Sequence, residues 1–265
     1  MKNKVSWNNY AAKYSANMHS DKFINTLIED PTSAFHQATW KMIKKYIPDM
    51  QDKKVCVPSS GDNHAVFAFA MMGAKVTSCD ISENQLANAE RIAKKHGWND
   101  SIEFICADTM TLADIINDTY DFVYTSNGVH VWINDLPGMY NNIHRVMKAG
   151  GIYIMYEIHP FTRPFGETLK VIKPYDAIGP FETEKEVTFH WRAMDIMNAI
   201  FASGLAALHI EEMYDEKNYD WPFWMSLQEF IDGATATPEE VDRMHDWRHN
   251  PMAALPNWLS IAARK

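Results

Sequence analysis

Between residues 53 and 158 the chain repeats one pattern, a short apolar run followed by a helical stretch. The runs are KKVCVP (53–58), KVTSCDI (75–81), IEFICAD (102–108), YDFVYTS (120–126) and GIYIMYEI (151–158). Their apolar character is nearly continuous rather than alternating, as in strands covered on both faces. The clearest helix starts at Ser82, which forms a capping-box pair with Gln85, and runs through NQLANAERIAKKH to a stop at Gly97. Another spans about 138–148 and ends at the Gly150-Gly151 pair. Repeated strand–helix units predict an α/β fold, a doubly wound, mostly parallel sheet with right-handed crossovers and helices on both faces. Late in the chain the pattern changes. The helix WRAMDIMNAIFASG leads to LAALHIEEM (205–213), and the last run, WLSIAARK (258–265), has no crossover helix to pair with it. That combination predicts an antiparallel strand closing one edge.

With 265 residues, 46% of them hydrophobic, the chain can bury a full core, and no linker-like segment divides it. One domain is expected over 1–265. A formal net charge of −9 without a basic cluster argues against nucleic acid, whose binding depends on Lys and Arg displacing counterions, and against anionic membranes. No apolar run approaches the roughly 20 residues that span a bilayer. The start, MKNKVSWNNY, lacks the apolar centre of a secretory leader, so a cytoplasmic location is expected. Cys56, Cys79 and Cys106 each sit within an apolar run and read as buried, inert thiols.

In open α/β sheets ligands lie beyond the carboxyl ends of the strands. Four features collect there: Ser59-Ser60-Gly61-Asp62-Asn63, then Asp80, then Asp108, then Thr125-Ser126-Asn127-Gly128. Asp80 lies about 20 residues beyond the first loop, the spacing at which a carboxylate accepts both hydroxyls of a ribose. Asp108 is placed to accept from an adenine amino group. The first loop is poor in glycine, placing Cβ atoms at Ser59 and Asn63 and a carboxylate at Asp62. A pyrophosphate there would be repelled. A cofactor with an ammonium and a sulfonium would be attracted, which favours S-adenosylmethionine (SAM) over NAD.

With these residues in view, Val55–Pro160 resembles the class I SAM-dependent methyltransferases that act on small molecules. The first motif of that family is an acid followed by three alternating glycines; here Val57 replaces the acid, Ser59 the first glycine and Asn63 the third, while Gly61 matches the second. GAKVTSCDIS (73–82) follows the second motif closely, and NGVHVW (127–132) is similar to the segment after the fourth strand. The resemblance implies a Rossmann-like sheet of seven strands in order 3-2-1-4-5-7-6, the seventh antiparallel. It also implies cofactor contacts from Asp80 to the ribose, from Ile81, Asp108, Thr109 and Met110 around the adenine, and from Tyr14 over the methionyl group. Ser59, Gly61, Asn63, Gln85, Thr125 and His130 complete the expected cofactor set. YEIHPF (156–161) and FHWRAMDIMNAIFASG (189–204) resemble later segments of the same group.

The implied layout is a helical cap over 1–50, a core of 51–213 with 257–265, and a lid over 214–256 between the last two strands. Ser226 with Glu229, and Thr237 before Pro238, start helices in the lid. A second cover is expected from 159–190. The run YDEKNYDWPFW (214–224) reads either as an aromatic box or as lid packing, and Trp7, Tyr10 and Tyr14 share one helix face. Methyl transfer needs alignment first, and a base only if the acceptor must lose a proton. His159, His190 and Glu157 are the catalytic candidates. Arg192 is a candidate for an acceptor carboxylate. The spacing of Glu157, His159 and His190 does not demand a metal, and none is expected. The expected partner is a small-molecule acceptor; a non-catalytic SAM-binding module and an NAD-dependent oxidoreductase are the alternatives. The sequence leaves the oligomeric state open.

Overall fold

The structure, a computed structural model, describes residues 2–166, 169–218 and 221–265. Three helices come first, α1 (Lys2–Met18), α2 (Asp21–Glu29) and α3 (Gln37–Tyr46). The core then alternates β1 (Lys54–Pro58), α4 (His64–Met71), β2 (Lys75–Asp80), α5 (Glu83–His96), β3 (Ile102–Cys106), β4 (Tyr120–Ser126), α6 (Leu136–Val146) and β5 (Met147–Ile158). A small hairpin of β6 (Phe181–Glu182) and β7 (Val187–Thr188) precedes α7 (Ala193–Ala202) and β8 (Ala206–Met213). After α8 (Leu227–Ile231) and α9 (Pro238–His245), β9 (Trp258–Arg264) ends the fold.

The main sheet has seven strands in order β3-β2-β1-β4-β5-β9-β8. Neighbours from β3 to β5 pair in parallel, and β9 runs antiparallel to both β5 and β8. Counted within this sheet alone, that is the predicted order. Alternate side chains of each strand enter different cores, as the two-residue period requires. Val55, Val57, Phe122 and Tyr124 join the core under α2–α5, whereas Cys56, Val123, Tyr153 and Met155 join the one under α6 and α7. Burial on both faces is why these strands read as continuous apolar runs. The helix α4 is sheathed all round, with every residue from Ala65 to Ala70 buried, and its sequence HAVFAFAM is correspondingly apolar.

Some boundaries differ from the sequence reading. The sixth helix starts at Leu136, earlier than expected, because Asp135 caps it by accepting from Gly138 N and Pro137 occupies its first turn. The fifth strand starts at Met147, and a register shift opposite Tyr120–Phe122 accommodates the Gly150-Gly151 pair inside it. At Ser82 only half of the capping box forms. Ser82 Oγ accepts from Gln85 N, but the Ser82 N–H donates to Asp80 instead of Gln85. Cys56 and Cys79 are buried, whereas Cys106, at the sheet edge, is exposed, which corrects its expected burial. No helix among the described residues is long and apolar enough to cross a membrane.

Candidate functional site

A cavity of about 710 Å³ opens at the carboxyl ends of β1 to β4, within the roughly 300–1,000 Å³ typical of ligand sites. Its floor begins at the turn after β1. Ser59 adopts φ +50°, a left-handed conformation normally left to glycine, and its hydroxyl lies 2.6 Å from that of Thr109 in the loop after β3. Gly61 is also left-handed, at φ +52°, and a Cβ there would stand 2.1 Å from Gln85 Oε1. Asp80 pins this turn, accepting from Gly61 N at 2.8 Å and from Ser82 N at 2.7 Å. Burial pushes its carboxyl up to about 6, against the pull of these N–H groups. Asn63 caps α4 through Oδ1, which accepts from Ala65 N, and its Nδ2 donates to Ser126 Oγ at 3.1 Å.

Asp62 is the anomaly. Only 1% exposed, it borders the cavity, yet neither carboxylate oxygen has a partner in full hydrogen-bond geometry among the described residues, although the Ser15 hydroxyl is near enough to hold its proton affinity down somewhat. The nearest titratable partner is His19, with Nδ1 3.6 Å from Oδ2. His19 Nε2–H donates to the Asp62 carbonyl at 2.7 Å, which leaves Nδ1 as the lone-pair side. Burial, then the His64 ring, lowers His19 to about 3, so it stays neutral and supplies no positive charge. Burial accordingly pushes Asp62 up to about 7. Such a group is held ready for a cation.

Ile81, Gln85, Asp108, Thr109 and Met110 line the cavity near the ends of β2 and β3. Gln85 Nε2 is buried without a partner, and Asp108 Oδ1 accepts from Met110 N. The roof comes from α1 and the hairpin. Asn3, Trp7 and Tyr14 of α1, Val187 of β7, Phe189 and Trp132 all face inward. Trp7 meets Tyr10, Tyr14 and Trp132 edge to face, and burial beside Asp62 raises the Tyr14 hydroxyl pKa. Of these roof residues the sequence singled out the aromatic face of α1, placed Trp132 in the segment after β4, and expected a second cover over 159–190, which holds Val187 and Phe189. The hairpin residues carry no signal, being two-residue strands without periodicity.

Of the expected cofactor set, Tyr14, Ser59, Gly61, Asn63, Asp80, Ile81, Gln85, Asp108, Thr109 and Met110 line the cavity, and Thr125 and His130 do not. Thr125 faces the opposite side of the sheet, bonded to Tyr153 Oη at 2.7 Å, and Ser126 lines the cavity in its place. His130 turns away to Tyr140 Oη, 2.8 Å from Nε2. The catalytic candidates also need correction, for none of His159, His190 and Glu157 borders the cavity. His159 has both nitrogens engaged, Nδ1 accepting from Phe161 N and Nε2–H donating to Glu212. Glu157 Oε1 accepts from the backbone of Val129 and His130. His190 lies behind the cavity wall against Phe181, lowered to about 4 by burial. Arg192 is not free for a carboxylate, because its guanidinium pairs with Asp195 at 2.7 and 2.8 Å.

The segment 214–256 contributes no lining residue. Instead it buttresses α1, with Trp221 and Phe230 stacked at 4.3 Å and both meeting Tyr14. The aromatic run 214–224 thus packs rather than forming a box; its Tyr219 and Asp220 lie outside the described residues.

Comparison with known proteins places this geometry. Residues 58–155 match the model of a methyltransferase domain. Over 85 residues the chain is 36% identical to sterol 24-C-methyltransferase ERG6B of Gibberella zeae, a match covering 32% of this chain and 22% of that protein. The chain thus spans about a fifth of the length of the curated relatives it first matches. Among solved structures, an S-adenosylmethionine dependent methyltransferase from Mesorhizobium loti aligns with TM-score 0.63 and 20% identity, covering 86% of this chain and 98% of the other. Geranyl diphosphate C-methyltransferase from Streptomyces coelicolor, solved with S-adenosyl-L-homocysteine (SAH), aligns at 0.59 and 13% identity over 86% of this chain and 75% of its own. Likeness at such identities establishes the fold, and within it residues 58–155 carry the methyltransferase-domain pattern.

Proposed function

We propose that the protein transfers a methyl group from SAM to a small-molecule acceptor by in-line displacement. The observation that carries this reading is Asp62, a buried carboxyl with no partner in full hydrogen-bond geometry among the described residues, in a cavity whose next strands present Asp80 and Asp108. An ammonium-bearing ligand answers that need, whereas a pyrophosphate would aggravate it. The buried, unpartnered Gln85 Nε2 adds a free donor for the same ligand. The residues present therefore fit SAM.

On this reading Asp80 accepts from the ribose hydroxyls while keeping its backbone bonds, since each carboxylate oxygen has two lone pairs. Ile81 and Met110 flank the adenine, and Asp108 and Thr109 meet its polar edge. Ser59, Gly61 and Asn63 shape the turn beneath the methionyl part, and Asp62 takes the ammonium beneath Tyr14. Bound SAM supplies a methyl group already activated on its sulfonium. The chain supplies alignment, an effect of ~7 to 11 kcal/mol in well-oriented systems, and a roof of Trp7, Trp132, Val187 and Phe189 that keeps water out. Because none of His159, His190 and Glu157 borders the cavity, the reading favours an acceptor atom that is nucleophilic without prior loss of a proton. Residues 1–50 act as the cap, and 214–256 as its support.

Calorimetry with SAM, SAH and NAD tests the cofactor. SAM and SAH are expected to bind and NAD is not; stabilisation by NAD alone would hand the site to an oxidoreductase. Conversion of SAM to SAH in the presence of a metabolite pool then separates an enzyme from a binding module, which would bind both and turn over neither.

A further inference from the structure

Behind the wall of the large cavity lies a second, polar chamber of about 10 Å³, and Phe189 borders both spaces. Its walls carry more charge than a packing gap needs. Glu157, 2% exposed, stands on one side with Oε1 already engaged by backbone N–H groups. Arg163 stands on another, half-buried, and its guanidinium makes no hydrogen bond or ion pair among the described residues. His130 Nδ1, on the chamber wall, is buried without a hydrogen-bond partner, 3.6 Å from Glu157 Oε2; His190, whose Nδ1 is also unpartnered, does not line the chamber. Lys173 lies close enough to Arg163 for each to lower the proton affinity of His190, and its own Nζ donates to the Ala177 carbonyl.

Arg163 and Lys173 are positive, Glu157 acts on Arg163 and Asp176 on Lys173, and burial keeps the imidazole of His190 neutral. A half-buried guanidinium without a hydrogen-bonded partner is destabilising, and folded proteins rarely leave one so. The planar fork of an arginine matches a carboxylate with two parallel hydrogen bonds. The wall beside it is flat, formed by the parallel rings of Phe189 and Trp191, 5.8 Å apart at 11°. As it stands the chamber holds about one water. Moving the Phe189 side chain joins it to the large cavity.

We propose that this chamber is the head-group subsite of the methyl acceptor, and that it takes a carboxylate held by the Arg163 fork, Phe189 being the partition. Calling the ligand the acceptor rests on the methyltransferase reading; the carboxylate site itself does not. The test is therefore run with and without SAH, after SAH affinity has been measured on its own. Benzoate and its neutral isostere benzamide are titrated into the full chain by calorimetry. Benzoate is expected to bind at least tenfold more tightly than benzamide. Arg163→Gln is expected to lose at least tenfold in benzoate affinity with SAH affinity held within twofold, and Phe189→Ala to bind benzoate more tightly. Arg163→Lys, which keeps the charge without the fork, is expected to lose about fivefold, and decides the matter should Arg163→Gln fail to fold. Absence of benzoate binding, equal binding of benzamide, or unchanged affinity in the Arg163 variants overturns the proposal. Absence of SAH binding instead overturns the cofactor reading and leaves the Arg163 result to be judged without it.

Discussion

Beneath the cavity, strands buried on both faces end in loops pinned to one another, Gly61 to Asp80 and Ser59 to Thr109. Above it, α1 buries only Ser6, Ala11 and Ser15. This helix is fastened by side chains gripping backbone. Asn3 exchanges two 2.8 Å hydrogen bonds with Val187, as a neighbouring strand would, and Ser6 Oγ donates to the Lys185 carbonyl. Exposed ion pairs, Lys2–Glu182 and Lys4–Glu83, add little. The floor is held by apolar burial and the roof by polar bonds worth about 0.5–1.5 kcal/mol each. A floor so built stays in place while its roof opens locally at modest cost, as a site that must admit a ligand and then exclude water requires.

Four variants test that contrast, the largest effect first. Asp80→Ala removes the anchor of the Gly61 turn and, on the proposed function, the sugar contact, so SAH affinity in calorimetry is expected to fall by about 3 kcal/mol, with a lower Tm. A normal Tm with normal affinity would mean that the floor does not depend on Asp80.

Asp62→Asn is expected to weaken SAH by about 1.5–3 kcal/mol through loss of a charged partner. Its pH signature is more telling. Folding raises the Asp62 carboxyl from about 3.9 in the unfolded chain to about 7, so ligand-free stability from this group is lost as pH rises through that interval. The isosteric Asn carries no such penalty. The Tm of Asp62→Asn minus that of the wild type is thus expected to grow from pH 5 to pH 8 without ligand, and to shrink or change sign when SAH is added. A flat difference would remove Asp62 from the ammonium site.

Asn3→Ala combined with Ser6→Ala addresses the roof alone. SAH dissociation is expected to quicken about fivefold and amide exchange in α1 to rise, with exchange in β1 and β4 unchanged. Equal loosening of the strands would show that floor and roof are one cooperative unit. Smallest of all, Ser59→Gly relieves a left-handed serine but deletes its bond to Thr109, two effects each of about 1 kcal/mol that oppose, so the stability change is expected to stay within about 0.5 kcal/mol.

The same division governs what the sequence revealed. Strands covered on both faces announce themselves as unbroken apolar runs, and an acid just past such a run, Asp80, is placed by strand length alone. Thr125 was readable too. Phe122 and Tyr124 share one face with Ser126, and Val123 shares the other with Thr125, so the cavity residue is the neighbour of the one expected. His159 misleads because its place just beyond β5 suits a catalytic group, while its ring caps the turn at Pro160–Thr162. The roof has no such pattern, since Asn3 meeting Val187 across 184 positions is fixed only once the chain has folded.

The turn after β1 keeps its left-handed backbone at Ser59 although the glycine is gone. Curvature here is held by a residue that carries a Cβ. Pattern matching on glycine spacing passes over chains of this kind, whereas the distance from a strand end to the next acid still finds them.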